Sequence, residues 1–178
     1  MEVPLLVNDF LRRAVQLYPN KTAIVDGSRR FSYSQFQERV HRLSNALLGL
    51  GVRPGDRVCI LSPNSHYFLE SFFGTSQIGA VLVPLNYRLV AADHAYILDH
   101  AGVRVVLADA EYTRVVDEIR DQLPTVEHFV SAGTGETPPP EHWVDWDRWV
   151  EAASPIAPPA PELSESDLVS INYTSGTT

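Results

Sequence analysis

Basic charge is scarce in this sequence, and lysine is nearly absent. Its 178 residues hold 14 lysines and arginines against 22 aspartates and glutamates, for a formal net charge of −8. No cluster of basic residues stands out, which argues against a nucleic-acid partner because binding to a phosphate backbone needs concentrated positive charge. Lys21 is the only lysine. Phosphate chemistry that needs a lysine would therefore require residues outside this sequence.

Cysteine, long apolar runs and metal-binding histidine patterns are also missing. The single cysteine, Cys59, excludes an internal disulfide and favours a reducing compartment. No apolar run approaches the roughly 20 residues of a transmembrane helix, and no early segment has signal-peptide character. The six histidines show no i, i+4 pair, which argues against a transition-metal site. We therefore expect a cytoplasmic protein, with peripheral membrane contact left open.

What the sequence does contain is a regular alternation of helical and strand-like segments. A capping-box spacing at Ser32 and Gln35 begins the best-specified helix, and Gly51 ends it. Asn64 is the expected cap of a later helix. The pattern predicts strands at 22–25, 57–61, 80–85, 103–107 and 126–130, and helices at 9–17, 33–50, 65–78, 91–100 and 111–122. Apolar strands separated by single helices predict an α/β fold, a doubly wound and mostly parallel sheet with helices on both faces.

The proline content predicts where this unit ends. Seven of the 13 prolines fall between 138 and 161, so that stretch cannot be continuous sheet. We expect an α/β subdomain over 1–137 and a proline-rich connection over 138–165 with a short helix near 145–152. The last part, 166–178, would hold a returning strand at 168–173 and open the next subdomain.

That returning strand leads into a hydroxyl-rich turn, Thr174, Ser175, Gly176, Thr177 and Thr178. Hydroxyls and backbone N–H groups donate hydrogen bonds, and glycine lets the backbone approach closely, so the turn is a candidate cradle for a phosphate. The same residues also fit an ordinary polar turn after a strand. The sequence contains no Walker motif, and Ser175 lacks the Gly-x-Ser-x-Gly setting of a hydrolase nucleophile.

Three segments together resemble the adenylate-forming acyl-CoA synthetase superfamily. The first runs from Phe31-Ser-Tyr-Ser-Gln-Phe36 to Gly51-Val-Arg-Pro-Gly-Asp-Arg-Val58. The second is Ile78-Gly-Ala-Val-Leu-Val-Pro-Leu-Asn-Tyr-Arg-Leu89. The third is Tyr173-Thr-Ser-Gly-Thr-Thr178, which resembles the opening of the family's phosphate loop and normally continues Gly-x-Pro-Lys-Gly. Within the superfamily, Pro84-Leu-Asn-Tyr-Arg-Leu89 is more similar to fatty-acyl-CoA ligases than to peptide-synthetase adenylation domains.

The resemblance implies a reaction and its cofactors. The complete enzyme would join a fatty or medium-chain carboxylic acid to ATP, release pyrophosphate, and transfer the acyl group to coenzyme A, with Mg²⁺ as the metal. Thr174, Ser175, Gly176, Thr177 and Thr178 match the positions that hold the β- and γ-phosphates, and Thr174 is the candidate for approaching the metal. The family's lysines and acidic Mg²⁺ ligand would follow residue 178, so we expect these 178 residues alone to be inactive.

Several alternatives stay open in the sequence. The protein could instead load a carrier protein, or be a non-catalytic nucleotide-binding or assembly module. A sheet cut at residue 178 would leave an unpaired edge, which leaves homodimerisation open. Among individual residues, we expect Arg29 and Arg30 to form a solvated turn pair and Cys59 to lie in the core. Arg88 is expected to bind backbone carbonyls or an acidic helix residue rather than a ligand. The three tryptophans, Trp143, Trp146 and Trp149, are expected to pack a short helix rather than line an acyl channel or a membrane interface.

Overall fold

A computed structural model describes residues 4–133 and 138–174. In this part of the chain the helices are α1 (Val7–Leu17), α2 (Tyr33–Gly49), α3 (His66–Gln77), α4 (Ala91–His100), α5 (Thr113–Asp117) and α6 (Trp146–Ala152). The strands are β1 (Thr22–Asp26), β2 (Arg29–Ser32), β3 (Arg57–Leu61), β4 (Val81–Leu85), β5 (Val103–Asp109), β6 (His128–Ala132) and β7 (Val144–Asp145). Strands β1 and β2 form a separate antiparallel hairpin.

The other five strands form one sheet in the order β4-β3-β5-β6-β7, and every neighbouring pair is parallel. Side chains alternate between its two faces. Val58 and Ile60 join α2, α3 and α6 in one buried cluster. Cys59 and Leu61 join α4 and α5 in another. The predicted doubly wound architecture, with helices on both faces, is therefore confirmed.

The predicted start and end of α2 are also confirmed. The backbone N–H of Ser32 donates to Gln35 Oε1 at 2.8 Å, and the backbone N–H of Gln35 donates to Ser32 Oγ at 3.2 Å. Gly51 follows the helix with φ of +78°, which a side chain would strain. This helix packs against α1 and α3 through Phe36 and Val40.

Two local predictions were wrong. Ser65, not Asn64, caps α3, since its hydroxyl accepts from the backbone N–H of Phe68; both residue types are good caps, so the choice between neighbours needs the fold. The helix predicted at 111–122 is broken into α5 and two short 3₁₀ turns, Ala110–Tyr112 and Arg120–Gln122. The β-branched residues of this segment weaken helix propagation. The sequence analysis also missed strand β2.

The strand predicted at 168–173 is reduced to a single bridge between Leu82 and Ser170. The backbone of Leu82 donates to the carbonyl of Val169 at 3.0 Å and accepts from the N–H of Ile171 at 2.9 Å. The next residue of β4 that faces this edge is Pro84, which has no N–H to continue the ladder. Within residues 4–133 and 138–174, the 168–173 segment thus pairs with this edge of the sheet at one bridge. The division of the chain at 137 and 165 stays a prediction.

Candidate functional site

Parallel α/β sheets bind ligands at the carboxyl ends of their strands, where the strand order reverses. Here that point lies between β3 and β5, at the start of α3. It is occupied by the chain itself. The Asp26 carboxylate, at the end of β1, accepts a hydrogen bond from the backbone N–H of His66 at 3.1 Å and lies 2.5 Å from His66 Nδ1. The hairpin therefore places a carboxylate at the N-terminus of α3, a position that would otherwise favour a bound anion.

The contacts between Asp26 and His66 affect the ionisation of the carboxylate and fix the hydrogen-bonding roles of the ring. Hydrogen bonds from the side chain and backbone of His66 lower the pKa of Asp26. Arg29 Nη1 lies 3.0 Å from His66 Nε2, and a guanidinium can only donate. His66 Nε2 therefore accepts, and Nδ1 carries the proton that is donated to Asp26. Arg29 and Arg30 are exposed to solvent as expected, but they begin strand β2, and the contacts of Arg29 with His66 and Tyr67 were not predicted.

The same network reaches α6. Arg29 also donates to the Tyr67 hydroxyl at 3.1 Å, and that hydroxyl donates to Asp147 at 3.0 Å. Burial raises the pKa of Tyr67 to about 12, with the nearby Asp147 charge adding to it. Arg39 donates to both carboxylate oxygens of Glu70, which is fully buried. These contacts join the hairpin, α2, α3 and α6 into one rigid unit.

A cavity of about 580 Å³ lies beside this network, between β2, α2 and α6. Its lining includes four arginines and three acidic residues. The charges are largely paired. Arg42 binds Glu38 at 3.0 Å, and Arg39 binds Glu70 and Asp147. The cavity is therefore a groove of balanced ion pairs, with little free positive charge to hold a phosphate.

Of the five residues predicted to form the phosphate loop, Thr174 is described, and its side chain is exposed. Ser175, Gly176, Thr177 and Thr178 lie outside the described residues. Ile171 and Tyr173 pack against the buried cluster on the α4 face, while Asn172 and Thr174 are exposed. This alternation is that of an extended chain.

One side-chain contact holds the residue before Thr174. The Tyr173 hydroxyl lies 2.7 Å from Nδ1 of His100, in the last turn of α4. The His100 ring stacks on Tyr96 with centroids 5.4 Å apart and meets the Tyr173 ring edge-on at 5.8 Å. The sequence analysis missed this pair, because no local pattern joins residues 73 positions apart.

The turn after β4 differs from its expectation. Among the described residues, Arg88 makes no side-chain hydrogen bond to a carbonyl or a carboxylate, and its guanidinium lies over the Tyr87 ring at 5.5 Å. Its backbone N–H donates to Asn86 Oδ1 at 3.1 Å. The buried His94 ring holds the turn through Nε2, 3.2 Å from the carbonyl of Asn86.

The cysteine and two of the three tryptophans lie where packing was expected, whereas Trp143 precedes α6 and does not pack it. Trp146 is fully buried against β6 and α3, and Trp149 meets it edge-on. Trp143 lies on the other face of the sheet against Phe129. Cys59 is fully buried, and burial raises the pKa of its thiol. These residues belong to the core.

The described residues form no metal cluster and no membrane-spanning helix. In residues 4–133 and 138–174, no three side chains of the His, Cys, Asp and Glu types are grouped to bind a metal ion. Over the same ranges, the helices are all too short or too polar to cross a bilayer.

Comparison with known proteins gives a consistent result. The family model described as "AMP-binding enzyme" matches residues 11–178. A peroxisomal butyrate–CoA ligase of Arabidopsis thaliana is 34% identical over 99% of this chain and 33% of its own length. A 4-hydroxybutyrate–CoA ligase of Metallosphaera sedula is 35% identical over 95% of this chain and 32% of its own. The chain thus spans about a third of the length of these relatives.

Solved structures agree with the sequence relatives. An anthranilate CoA ligase in complex with anthranoyl-AMP matches with a TM-score of 0.93 and 32% identity, over 100% of this chain and 34% of the other. A Mycobacterium tuberculosis fatty acyl CoA synthetase matches with a TM-score of 0.82 and 31% identity, over 96% of this chain and 32% of the other. From the match to residues 11–178 and these likenesses, the chain belongs to the AMP-binding enzyme family.

Proposed function

We propose that this chain is the N-terminal part of an ATP-dependent acyl-CoA ligase. The reaction joins a carboxylate to ATP, giving acyl-AMP and pyrophosphate, and then transfers the acyl group to coenzyme A with release of AMP. The observation that carries the proposal is the likeness, over the whole chain, to a CoA ligase holding an acyl adenylate.

The chemical problem of the first step is charge. A carboxylate must attack the α-phosphate of a triphosphate that is itself highly anionic. Donors placed where charge develops on the leaving pyrophosphate lower that barrier. Thr174 is exposed at the end of a docked extended segment, so its hydroxyl is free to take this role. We propose that Thr174, Ser175, Gly176, Thr177 and Thr178 hold the β- and γ-phosphates.

Mg²⁺ is the metal that this reaction would use. It takes oxygen ligands and usually keeps several waters alongside one or two protein groups and substrate phosphates. Thr174 offers one hydroxyl oxygen of that type, and the described residues hold no acidic cage. These residues fit an ion held mainly by the triphosphate, with Thr174 as one protein ligand. Bound there, Mg²⁺ would neutralise charge on the departing pyrophosphate.

The proposed acid is a fatty or medium-chain carboxylate. The relatives named above support an aliphatic acid, while the anthranilate ligase shows that similar folds also accept an aromatic one. Cytoplasmic location belongs to the same proposal, although one relative is named as peroxisomal. Peripheral membrane contact and homodimerisation stay open alongside it.

The test uses the full-length protein with ATP, Mg²⁺ and a panel of acids from butyrate to palmitate, with benzoate included. Pyrophosphate release that depends on the acid but not on coenzyme A would establish adenylation, and thioester formed on adding coenzyme A would establish transfer. Acid-dependent pyrophosphate release without any thioester would point to a carrier-protein acceptor. No pyrophosphate release with any acid would contradict the proposal.

A further inference from the structure

The segment before Thr174 is held to the sheet by few described contacts, so each of them matters for its position. The backbone joins β4 through two hydrogen bonds, both at Leu82. Pro84, the next residue of β4 on that edge, has no N–H to donate a third. Between Ile171 and Thr174, the described contacts are made by side chains.

The next contact along the segment is made by the side chain of Tyr173. Its hydroxyl is 2.7 Å from His100 Nδ1, and its ring packs with Ile171 against the α4 side of the sheet. The Tyr96 ring stacks on the His100 ring at an interplanar angle of 23°. A phenol hydroxyl can donate to a neutral imidazole or accept from a charged one. The contact therefore survives a change in the charge of His100.

We propose that His100 is a positioning residue for adenylation, which holds the Tyr173 hydroxyl and thereby sets where the hydroxyl-rich loop at 174–178 begins. The inference rests on the proposed function and adds to it a residue outside the loop. Neither His100 nor Tyr173 touches a reacting atom in this role. They reduce the conformational freedom of the residue next to Thr174.

The role predicts a defect in one half of the reaction. The loop is needed while the triphosphate is bound and pyrophosphate leaves. Transfer of the acyl group from acyl-AMP to coenzyme A has no pyrophosphate to hold. Loss of the anchor should therefore weaken ATP use in the first half-reaction and leave the second unchanged. A general loss of folding would lower both.

The experiment compares five variants of the full-length protein, one of which combines Tyr173→Phe with His100→Phe. Tyr173→Phe and His100→Phe each remove the hydrogen bond and keep a ring. His100→Asn keeps an amide oxygen close to the position of Nδ1 and should restore the contact. Tyr18→Phe is the matched control, because it removes a hydroxyl from an exposed tyrosine far along the chain from this cluster.

We expect Tyr173→Phe and His100→Phe to lower kcat/KM for ATP in acid-dependent pyrophosphate release by about three- to tenfold, the range of one lost hydrogen bond. The double variant should lose no more than either single one, because both remove the same contact. His100→Asn should lie near wild type, and so should Tyr18→Phe. Thioester formation from synthetic acyl-AMP should be the same in all.

Two results would overturn the inference. One is an unchanged kcat/KM for ATP in Tyr173→Phe and His100→Phe. The other is an equal loss in both half-reactions without rescue by His100→Asn. Hydrogen exchange of the amides around 170–174 gives a readout that needs no activity, and faster exchange in Tyr173→Phe is expected. If wild type adenylates no acid, the proposed function fails, and the exchange measurement still decides whether His100 anchors Tyr173.

Discussion

The Asp26 carboxylate lies at the first turn of α3, 3.1 Å from the backbone nitrogen of His66, a residue 40 positions later in the chain. An intramolecular carboxylate thus occupies the point where doubly wound sheets usually bind a ligand. The hairpin therefore supplies the negative charge at the N-terminus of α3.

Replacing Asp26 should destabilise the fold. Asp26→Ala leaves the buried N–H and Nδ1 of His66 without their acceptor, and a loss of about 1–3 kcal/mol in the free energy of unfolding is expected. Urea unfolding measures it. The exposed neighbour Asn64 provides the control, because it was a predicted cap that the structure does not use, and Asn64→Ala should change the free energy by less than about 0.5 kcal/mol. Equal losses in the two variants would contradict this account.

The contribution of Asp26 should also depend on pH. Its pKa is lowered from the ordinary value of 3.8 by the hydrogen bonds from His66. A carboxylate whose pKa is lower in the folded state adds stability above its unfolded pKa and loses it as the pH falls through its folded pKa. The difference in unfolding free energy between wild type and Asp26→Asn should therefore be full near pH 6 and shrink below about pH 4. A difference that stays constant down to about pH 2 would contradict the linkage.

Removing one partner of the Arg39–Glu70 pair should destabilise the fold, whereas replacing both residues by apolar ones should cost little unfolding free energy. Glu70 is fully buried, and burial raises its pKa even though Arg39 opposes the shift. Arg39→Met would leave an unpaired buried carboxylate, at a cost of about 3–5 kcal/mol. The double variant Arg39→Met with Glu70→Leu should recover most of that loss. Thermal or urea unfolding tests both.

An ion pair on the surface is the control that separates the effect of burial on stability from the effect of charge. Arg12 pairs with Asp9 at 2.8 Å, but its side chain is 66% exposed. Arg12→Met should cost less than about 1 kcal/mol, because exposed ion pairs are screened by water. A cost for Arg39→Met as small as this would show that Glu70 is not stabilised by its partner.

Substitutions at the tryptophans test whether these residues pack the core or bind the acyl chain. Trp146 is fully buried in the main cluster, so Trp146→Ala should cost about 3–5 kcal/mol of unfolding free energy. Trp149 is only partly buried beside it, and Trp149→Ala should cost less. An altered preference for acyl chain length in a stably folded Trp146→Ala enzyme would instead place this residue in an acyl channel.

The 178 residues by themselves should be inactive. They contain one lysine, Lys21 in the loop before β1, and the described residues hold no acidic metal site. We expect no pyrophosphate release above background when this chain is given ATP, Mg²⁺ and any acid of the panel, with the full-length protein as the positive control. Measurable acid-dependent release from the chain alone would contradict the prediction.

Local signals predicted much of this fold correctly. The capping box at Ser32 and the glycine at 51 act within one helix, and the apolar strand at 57–61 is readable from its own residues. One prediction that failed depended on a partner from elsewhere in the chain. The strand at 168–173 shrank to a bridge because Pro84, on another element, has no N–H to offer it.

For the candidate site, too, part was predictable from the sequence and part needed the tertiary structure. The sequence alone determined the family and the parallel sheet, because periodicity, caps and motifs are properties of neighbouring residues. Only the tertiary structure decided that Asp26 binds the N-terminus of α3, that Arg29 contacts His66, and that His100 contacts Tyr173. Those contacts join residues tens of positions apart, and their geometry depends on how the sheet and helices pack.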